Sequence, residues 1–123
     1  MRTESHAKAD PAKNRIYLCL KGRHDLEEAK RMKDEYCAAI DLCQPGFTVL
    51  ADVSEYIPGD PEVQAVHEEA ISYAERAGVS KVARFVGKTP LGGMQINRIA
   101  SMHHSYQSNH FEYYEDAEAY LDS

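Results

Sequence analysis

The sequence lacks a complete catalytic or metal-binding motif, and it has no apolar run long enough to span a membrane. Its first 15 residues also lack the apolar stretch of a signal peptide. Basic residues are outnumbered by acidic ones, 14 to 20, and the net charge of −6 disfavours nucleic acid as a partner. We therefore expect a cytoplasmic protein with no integral membrane segment.

The chain also lacks the cysteine pattern of a disulfide framework. Its three cysteines, Cys19, Cys37 and Cys43, are odd in number and lie within periodic apolar segments. Disulfide-rich secreted domains instead carry even numbers of cysteines in short, loop-rich chains. We predict reduced thiols in or near the core, without a catalytic role, as is usual in the cytoplasm.

The length of the chain is that of one domain. Its 123 residues can bury a single core, and no low-complexity tract or repeat divides them. Residues 1–13 are polar and carry Pro11 near their end, which is typical of a flexible N-terminal arm. We predict such an arm, followed by a single α/β domain over residues 14–123.

Strand and helix patterns alternate along that domain. Four segments are predicted as β-strands: residues 14–21, 47–54, 81–86 and about 110–114. Each is followed by a predicted helix: residues 26 to about 42, residues 61–77, a segment from Pro90 that carries Met94 and Met102, and residues 116–121. Asp25, Asp60 and Thr89 precede the first three helices as caps, and Gly78 ends the second. Four repeated strand–helix units predict an α/β fold with a largely parallel sheet and right-handed crossovers.

The two faces of the predicted sheet differ in composition. One face is apolar and holds Ile16, Leu18, Leu20, Phe47, Val49, Ala51 and Val53. The opposite face is mixed and holds Tyr17, Cys19, Thr48, Leu50, Asp52 and Arg84. Strands covered on both sides are usually apolar throughout, so we expect helices mainly on one face. The other face is then partly open, or covered by the arm or by a second subunit.

The order of elements, the strand VLADVS with its loop and helix, and the ending FEYYEDAEAYLDS carry a family resemblance. Together they resemble the SpoIIAA-like group, which includes the STAS (anti-sigma-factor antagonist) domains and a SEC14-related bacterial branch. The resemblance covers roughly residues 14–121. It implies a SpoIIAA-like right-handed superhelix of strand–helix units, with a protein-binding surface at the start of the second helix.

At that surface the family carries Asp-Ser-Ser-Gly, in which a serine is phosphorylated to switch partner binding. Asp60 matches the aspartate of this motif, whereas Pro61 and Glu62 stand where its serines would be. The phosphorylatable serine is therefore missing. Glu62 either supplies a fixed negative charge there or is an ordinary acidic residue of a first helical turn. The resemblance implies a partner or ligand site at Ser54, Tyr56, Asp60 and Glu62.

A second candidate site follows the third predicted strand. Gly87, Lys88, Thr89, Gly92 and Gly93 lie at the carboxyl end of that strand and the start of a helix. Free backbone N–H groups at such a position favour anions. A Walker phosphate loop is excluded, because that motif needs a glycine where this chain has Val82. The alternative is a turn followed by small residues that permit close packing.

Histidines and a serine at the end of a predicted strand are weak candidates for metal binding and for hydrolase catalysis. His103, His104 and His110 lack the spacing of a zinc site, so we expect no metal and no other cofactor. His24 as base and Ser54 as nucleophile could serve a hydrolase, but no G-x-S-x-G motif surrounds Ser54. No residue is assigned a catalytic role.

These observations favour a non-enzymatic module that binds a protein partner or itself, most simply as a homodimer. The alternative is a carrier or sensor of a small apolar or lipid-like ligand, which the SEC14 relationship implies and which Ile71, Tyr73 and Leu91 could line. A small enzyme is the third possibility. A deep pocket would favour the carrier, and a flat surface rich in tyrosines would favour a protein partner. The tyrosines crowd the last quarter of the chain: Tyr106, Tyr113, Tyr114 and Tyr120.

Overall fold

The computed structural model of the protein describes residues 5–57, 59–87 and 106–123. Its centre is a five-stranded mixed sheet with the order β1-β2-β3-β4-β5. The strands are β1 (His6–Asp10), β2 (Arg15–Arg23), β3 (Thr48–Ile57), β4 (Lys81–Phe85) and β5 (Gln107–Phe111). The helices within the described ranges are α1 (Leu26–Ile40), α2 (Pro61–Ala77) and α3 (Tyr114–Asp122). The predicted α/β class is confirmed.

Local chemistry sets the ends of α1 and α2. The backbone N–H of Glu28 donates to the Asp25 carboxylate at 2.8 Å, which caps α1. Asp60 is the N-cap of α2 by its backbone, and Pro61 follows as the first helical residue. Gly78 ends α2 in the left-handed conformation with a φ of 99°, which glycine adopts without steric cost. The predicted starts of both helices and the end of α2 are confirmed.

The amino-terminal segment differs from the prediction. His6–Asp10 form β1, which pairs with β2 in antiparallel fashion, so this part of the predicted arm belongs to the sheet. A tight turn joins the two strands, with Lys13 N–H donating to the Asp10 carbonyl and Asn14 in a left-handed conformation. An edge strand is held by one row of backbone hydrogen bonds, so its polar composition does not prevent pairing.

The other strand pairs are parallel and follow the chain order. Ile16 pairs with Val49, Val49 with Val82, and Val82 with Ser108. β1 makes the sheet mixed rather than parallel throughout. The predicted helix from Pro90 lies outside the described residues, so the four strand–helix units and the right-handed superhelix remain predictions.

Helices lie on both faces of the sheet. α1 and α2 pack on one face and form the main core with Ile16, Leu20, Met32, Val49, Ala51, Val53, Ala70 and Ala74. On the opposite face, Ala117 and Leu121 of α3 pack against Leu50 and Ala83. The second face is thus partly covered by the carboxyl-terminal helix. From the sequence we expected this face to be partly open, or covered by the arm or a second subunit.

A buried arginine holds α3 against the sheet. Arg15 is 4% exposed, and its guanidinium contacts Glu118 at 2.6 Å and Asp122 at 2.8 Å. Its Nε also donates to the Thr48 hydroxyl at 3.0 Å. The charge of Arg15 is therefore fully matched by two carboxylates of α3.

The cysteines lie where periodicity placed them. Cys19 is buried, Cys37 and Cys43 are half-buried, and all three are free thiols. Burial raises the pKa of each thiol, which lowers the fraction of reactive thiolate. Within the described ranges, no helix is both long and apolar enough to cross a membrane.

Candidate functional site

A cavity of about 70 Å³ lies within the main core, between the sheet and helices α1 and α2. Most of its wall is aliphatic, with contributions from Leu18, Leu20, Val49, Ala51, Ala70 and Ala74. Protein cores seldom hold voids larger than a water molecule, which needs about 10–15 Å³. This cavity has space for roughly five water-sized groups.

Small side chains leave this space open. Ala51 of β3 and Ala70 and Ala74 of α2 line the cavity and are themselves buried. Lys33 and Ile71 also line it and are only half-buried, so the cavity approaches the surface between α1 and α2. There the Lys33 ammonium lies 3.5 Å from the Glu69 carboxylate, which bridges the two helices.

One strongly polar side chain lies in this apolar wall. Arg84 of β4 lines the cavity and is 2% exposed. Its Nε and Nη1 have no hydrogen-bond acceptor among the described residues. The hydroxyl of Tyr106 and that of Tyr36 lie close enough to act on the guanidinium electrostatically. Burial lowers the pKa of Arg84, and the neighbouring phenols of Tyr106 and Tyr36 oppose that shift.

Two phenols accompany the guanidinium. Tyr36 of α1 and Tyr106, just before β5, both line the cavity. Burial raises the pKa of each hydroxyl above its ordinary value, so both are neutral donors near pH 7. The cavity therefore combines aliphatic walls with a buried guanidinium and two hydroxyl groups.

No carboxylate neutralises Arg84 within the described ranges. The ion pairs there engage Arg15, Lys21, Arg23, Arg31 and Lys33 but not Arg84. Outside the described ranges, residues 88–105 contain no aspartate or glutamate, and Glu4 is the one acidic residue. Arg84 therefore differs from Arg15, which is buried to a similar degree and meets two carboxylates.

A buried histidine cluster adjoins the cavity. His67 of α2 lines the cavity, and its ring lies 5.3 Å from the His24 ring and 5.6 Å from the Tyr56 ring. His24 Nε2 and Ser5 Oγ share a hydrogen bond of 2.7 Å. Burial, with a smaller contribution from His24, lowers the pKa of His67 to about 4. His67 is therefore a neutral polar group at the cavity wall near pH 7.

The residues predicted at the start of α2 have separate environments. The Ser54 hydroxyl donates to Asp52 at 2.7 Å, and Asp60 forms an exposed ion pair with Arg23 at 2.7 Å. Glu62 is exposed. Tyr56 is only 4% exposed and packs in the histidine cluster, so it does not contribute to an exposed partner surface.

Of the predicted anion site, only one residue is described. Gly87 follows β4 with a φ of 62°, and a Cβ there would lie 3.2 Å from the Ser54 Cβ. Lys88, Thr89, Gly92 and Gly93 lie outside the described residues. An anion site at the start of the predicted third helix therefore remains a prediction.

The residues proposed for a hydrolase do not bond to each other. His24 pairs with Ser5, and Ser54 pairs with Asp52. Ser5 is fully buried, which keeps its hydroxyl away from a surface substrate. Within the described part of the chain, no group of three or more histidine, cysteine or acidic side chains is placed to hold a metal. His103 and His104 lie outside that part.

Arg84 and His67 are the site residues that sequence reasoning missed. Arg84 was predicted on the mixed face, but it pairs with Ala51 and shares the face covered by α1 and α2. The available signal was a single arginine within the otherwise apolar stretch VARFV of a short strand. Three residues were predicted to line a small-ligand site: Ile71 lines the cavity, Tyr73 donates to Asp41, and Leu91 lies outside the described residues.

No protein-family model and no curated protein matches this chain. The resemblance to the SpoIIAA-like group therefore rests on the order of elements and the motifs quoted above, and it remains a prediction.

Proposed function

We propose that this protein is a SpoIIAA-like binding module that takes up a small apolar ligand, as its carrier or sensor. The observation that carries the proposal is the cavity within the main core, with its aliphatic wall. Concave apolar sites with a few polar groups are the usual form of small-molecule sites. A deep pocket was the feature expected to distinguish a carrier from a protein-binding module.

The energetics favour an occupant. The aliphatic groups that line the cavity lack neighbours on one side, which lowers the free energy of unfolding relative to a filled core. A bound apolar group restores the missing dispersion contacts and removes its own surface from water. The half-buried Lys33 and Ile71 mark the side on which the cavity approaches solvent.

A cavity-filling substitution tests the proposal. Ala70 lines the cavity, whereas Ala65, on the same helix, is exposed. In an NMR titration with 1-butanol, we expect amide shifts around the cavity for the wild type and for Ala65→Leu. We expect Ala70→Leu to abolish these shifts while remaining as stable as the wild type, because leucine fills the space. Equal responses of Ala70→Leu and the wild type, or no response of the wild type, would contradict the proposal.

A second candidate is the binding of a protein partner or a second copy. Ile57, an apolar residue, is 53% exposed beside Asp60 and Glu62, where the resemblance implies a partner surface. Tyr113 and Tyr114 are also exposed, near the partly covered face of the sheet. Light scattering at micromolar concentration tests self-association: a dimeric mass supports a homodimer, and a monomeric mass excludes it at that concentration.

A further inference from the structure

The charge of Arg84 meets no carboxylate among the residues that the structure describes. A buried guanidinium without an anion is costly, because desolvation removes its hydration and no partner replaces it. Arg84 is 2% exposed, and two of its nitrogens lack an acceptor among the described residues. The aliphatic wall around it supplies no compensation.

The groups beside Arg84 are suited to an anionic head. A guanidinium can bind both oxygens of a carboxylate through parallel N–H donors. The hydroxyls of Tyr36 and Tyr106 are further donors at the same cavity. The Tyr106 hydroxyl lies near the guanidinium of Arg84. A carboxylate in the cavity would accept from the unpartnered nitrogens of Arg84 and from the phenol hydroxyls.

We infer that the ligand is a monocarboxylate with a short apolar body, bound through its carboxylate by Arg84 and by the hydroxyls of Tyr36 and Tyr106, an inference that rests on the proposed uptake of an apolar ligand. The apolar body then lies against Leu18, Val49 and Ala70. Charge neutralisation and cavity filling occur together in one ligand.

The surroundings restrict the ligand to a single charge. Lys33, the other cation among the described residues that line the cavity, already faces Glu69 at 3.5 Å. His67 is neutral near pH 7, since its pKa is about 4. A second negative charge would therefore be buried without a partner, which strongly disfavours a dicarboxylate. The cavity volume of about 70 Å³ favours a short chain.

Comparison of an acid with its alcohol tests this inference on the wild-type protein. Butanoate and 1-butanol have similar apolar bodies, and only butanoate carries a charge. By calorimetry or NMR titration at pH 7, we expect butanoate to bind at least about tenfold more tightly, as charge-assisted hydrogen bonds usually provide.

Two arginine variants test whether Arg84 causes the preference for butanoate over 1-butanol. Arg84→Met removes the buried cation, while Arg76→Met removes an exposed one from α2 with the same change in net charge. We expect Arg84→Met to lose the preference for butanoate and to keep 1-butanol binding. Arg76→Met should behave as the wild type does.

The outcomes separate the two proposals. If 1-butanol binds the wild type as tightly as butanoate, the monocarboxylate inference is wrong and apolar uptake stands. If neither compound binds, the proposed function itself fails. If Arg84→Met keeps the preference for butanoate, another group binds the head and the role of Arg84 is refuted. The wild-type comparison remains decisive even if Arg84→Met does not fold.

Discussion

Two buried arginines show how the same side chain can serve stability or binding. Arg15 meets Glu118 and Asp122, and these contacts hold α3 on the sheet. Arg84 has no such carboxylate within the described ranges and faces an apolar cavity. A buried charge that lacks a partner weakens the folded state, whereas a matched one need not.

Opposite effects on stability are therefore expected from the two arginines. Arg84→Met should raise the free energy of unfolding of the ligand-free protein, by about 1–3 kcal/mol, because it removes an unmatched buried charge. Arg15→Met should lower it by a similar amount, since it removes the ion pairs to Glu118 and Asp122 and the hydrogen bond to Thr48. Urea unfolding at pH 7 measures both. A loss of stability in Arg84→Met as large as that in Arg15→Met would show that the Arg84 charge is matched within the chain.

His67 makes stability depend on pH. Its pKa of about 4 in the folded state lies below the value of about 6.5 in the unfolded chain. The unfolded state therefore binds the proton first as pH falls, and protonation favours unfolding. The contribution of neutral His67 to the free energy of unfolding should be fully present above about pH 6.5. It should fall by about 3 kcal/mol towards pH 4. Burial of His24 lowers its pKa too, which acts in the same direction.

The substitution His67→Leu isolates this contribution. The variant should show a shallower loss of stability between pH 6.5 and 4 than the wild type in urea unfolding. An unchanged slope would mean that His67 does not titrate as a buried neutral group.

At the scale of elements, the sequence was most informative where a boundary depends on neighbouring residues. Asp25, Asp60 and Gly78 predicted helix ends correctly, because caps act within one turn of the helix. β1 was missed because an edge strand needs no apolar alternation. β5 was predicted at about residues 110–114 but occupies Gln107–Phe111, whose mostly polar side chains gave no periodic signal.

The contact between Gly78, which ends α2, and Pro45 can be tested by comparison with Gly46, a glycine of similar backbone conformation. Gly78 has a φ of 99° and Gly46 a φ of 94°, so alanine is strained at both positions. A Cβ at Gly78 would also lie 3.2 Å from Pro45, whereas a Cβ at Gly46 meets nothing within 4 Å. Gly46→Ala should therefore lower stability by about 1 kcal/mol, and Gly78→Ala by more. Equal losses of stability in thermal unfolding would show that the close contact with Pro45 adds no destabilisation.

At the scale of the whole molecule, the α/β class followed from alternating strand and helix patterns, but the cavity did not. Its wall combines residues of β2, β3 and β4 with residues of α1 and α2. The space depends on how closely those helices approach the sheet, and no local pattern encodes that distance. The face occupied by Arg84 was likewise settled only by the pairing of β4 with β3.

The location of a bound short-chain acid tests the central claim most directly. With isotope-labelled butanoate and unlabelled protein, isotope-filtered NMR detects which side chains lie near the ligand. We predict nuclear Overhauser effects from the butanoate methyl group to Val49 and Ala70, which line the cavity. Effects confined to Ala117 and Leu121 on the opposite face, or none at saturating butanoate, would contradict the account.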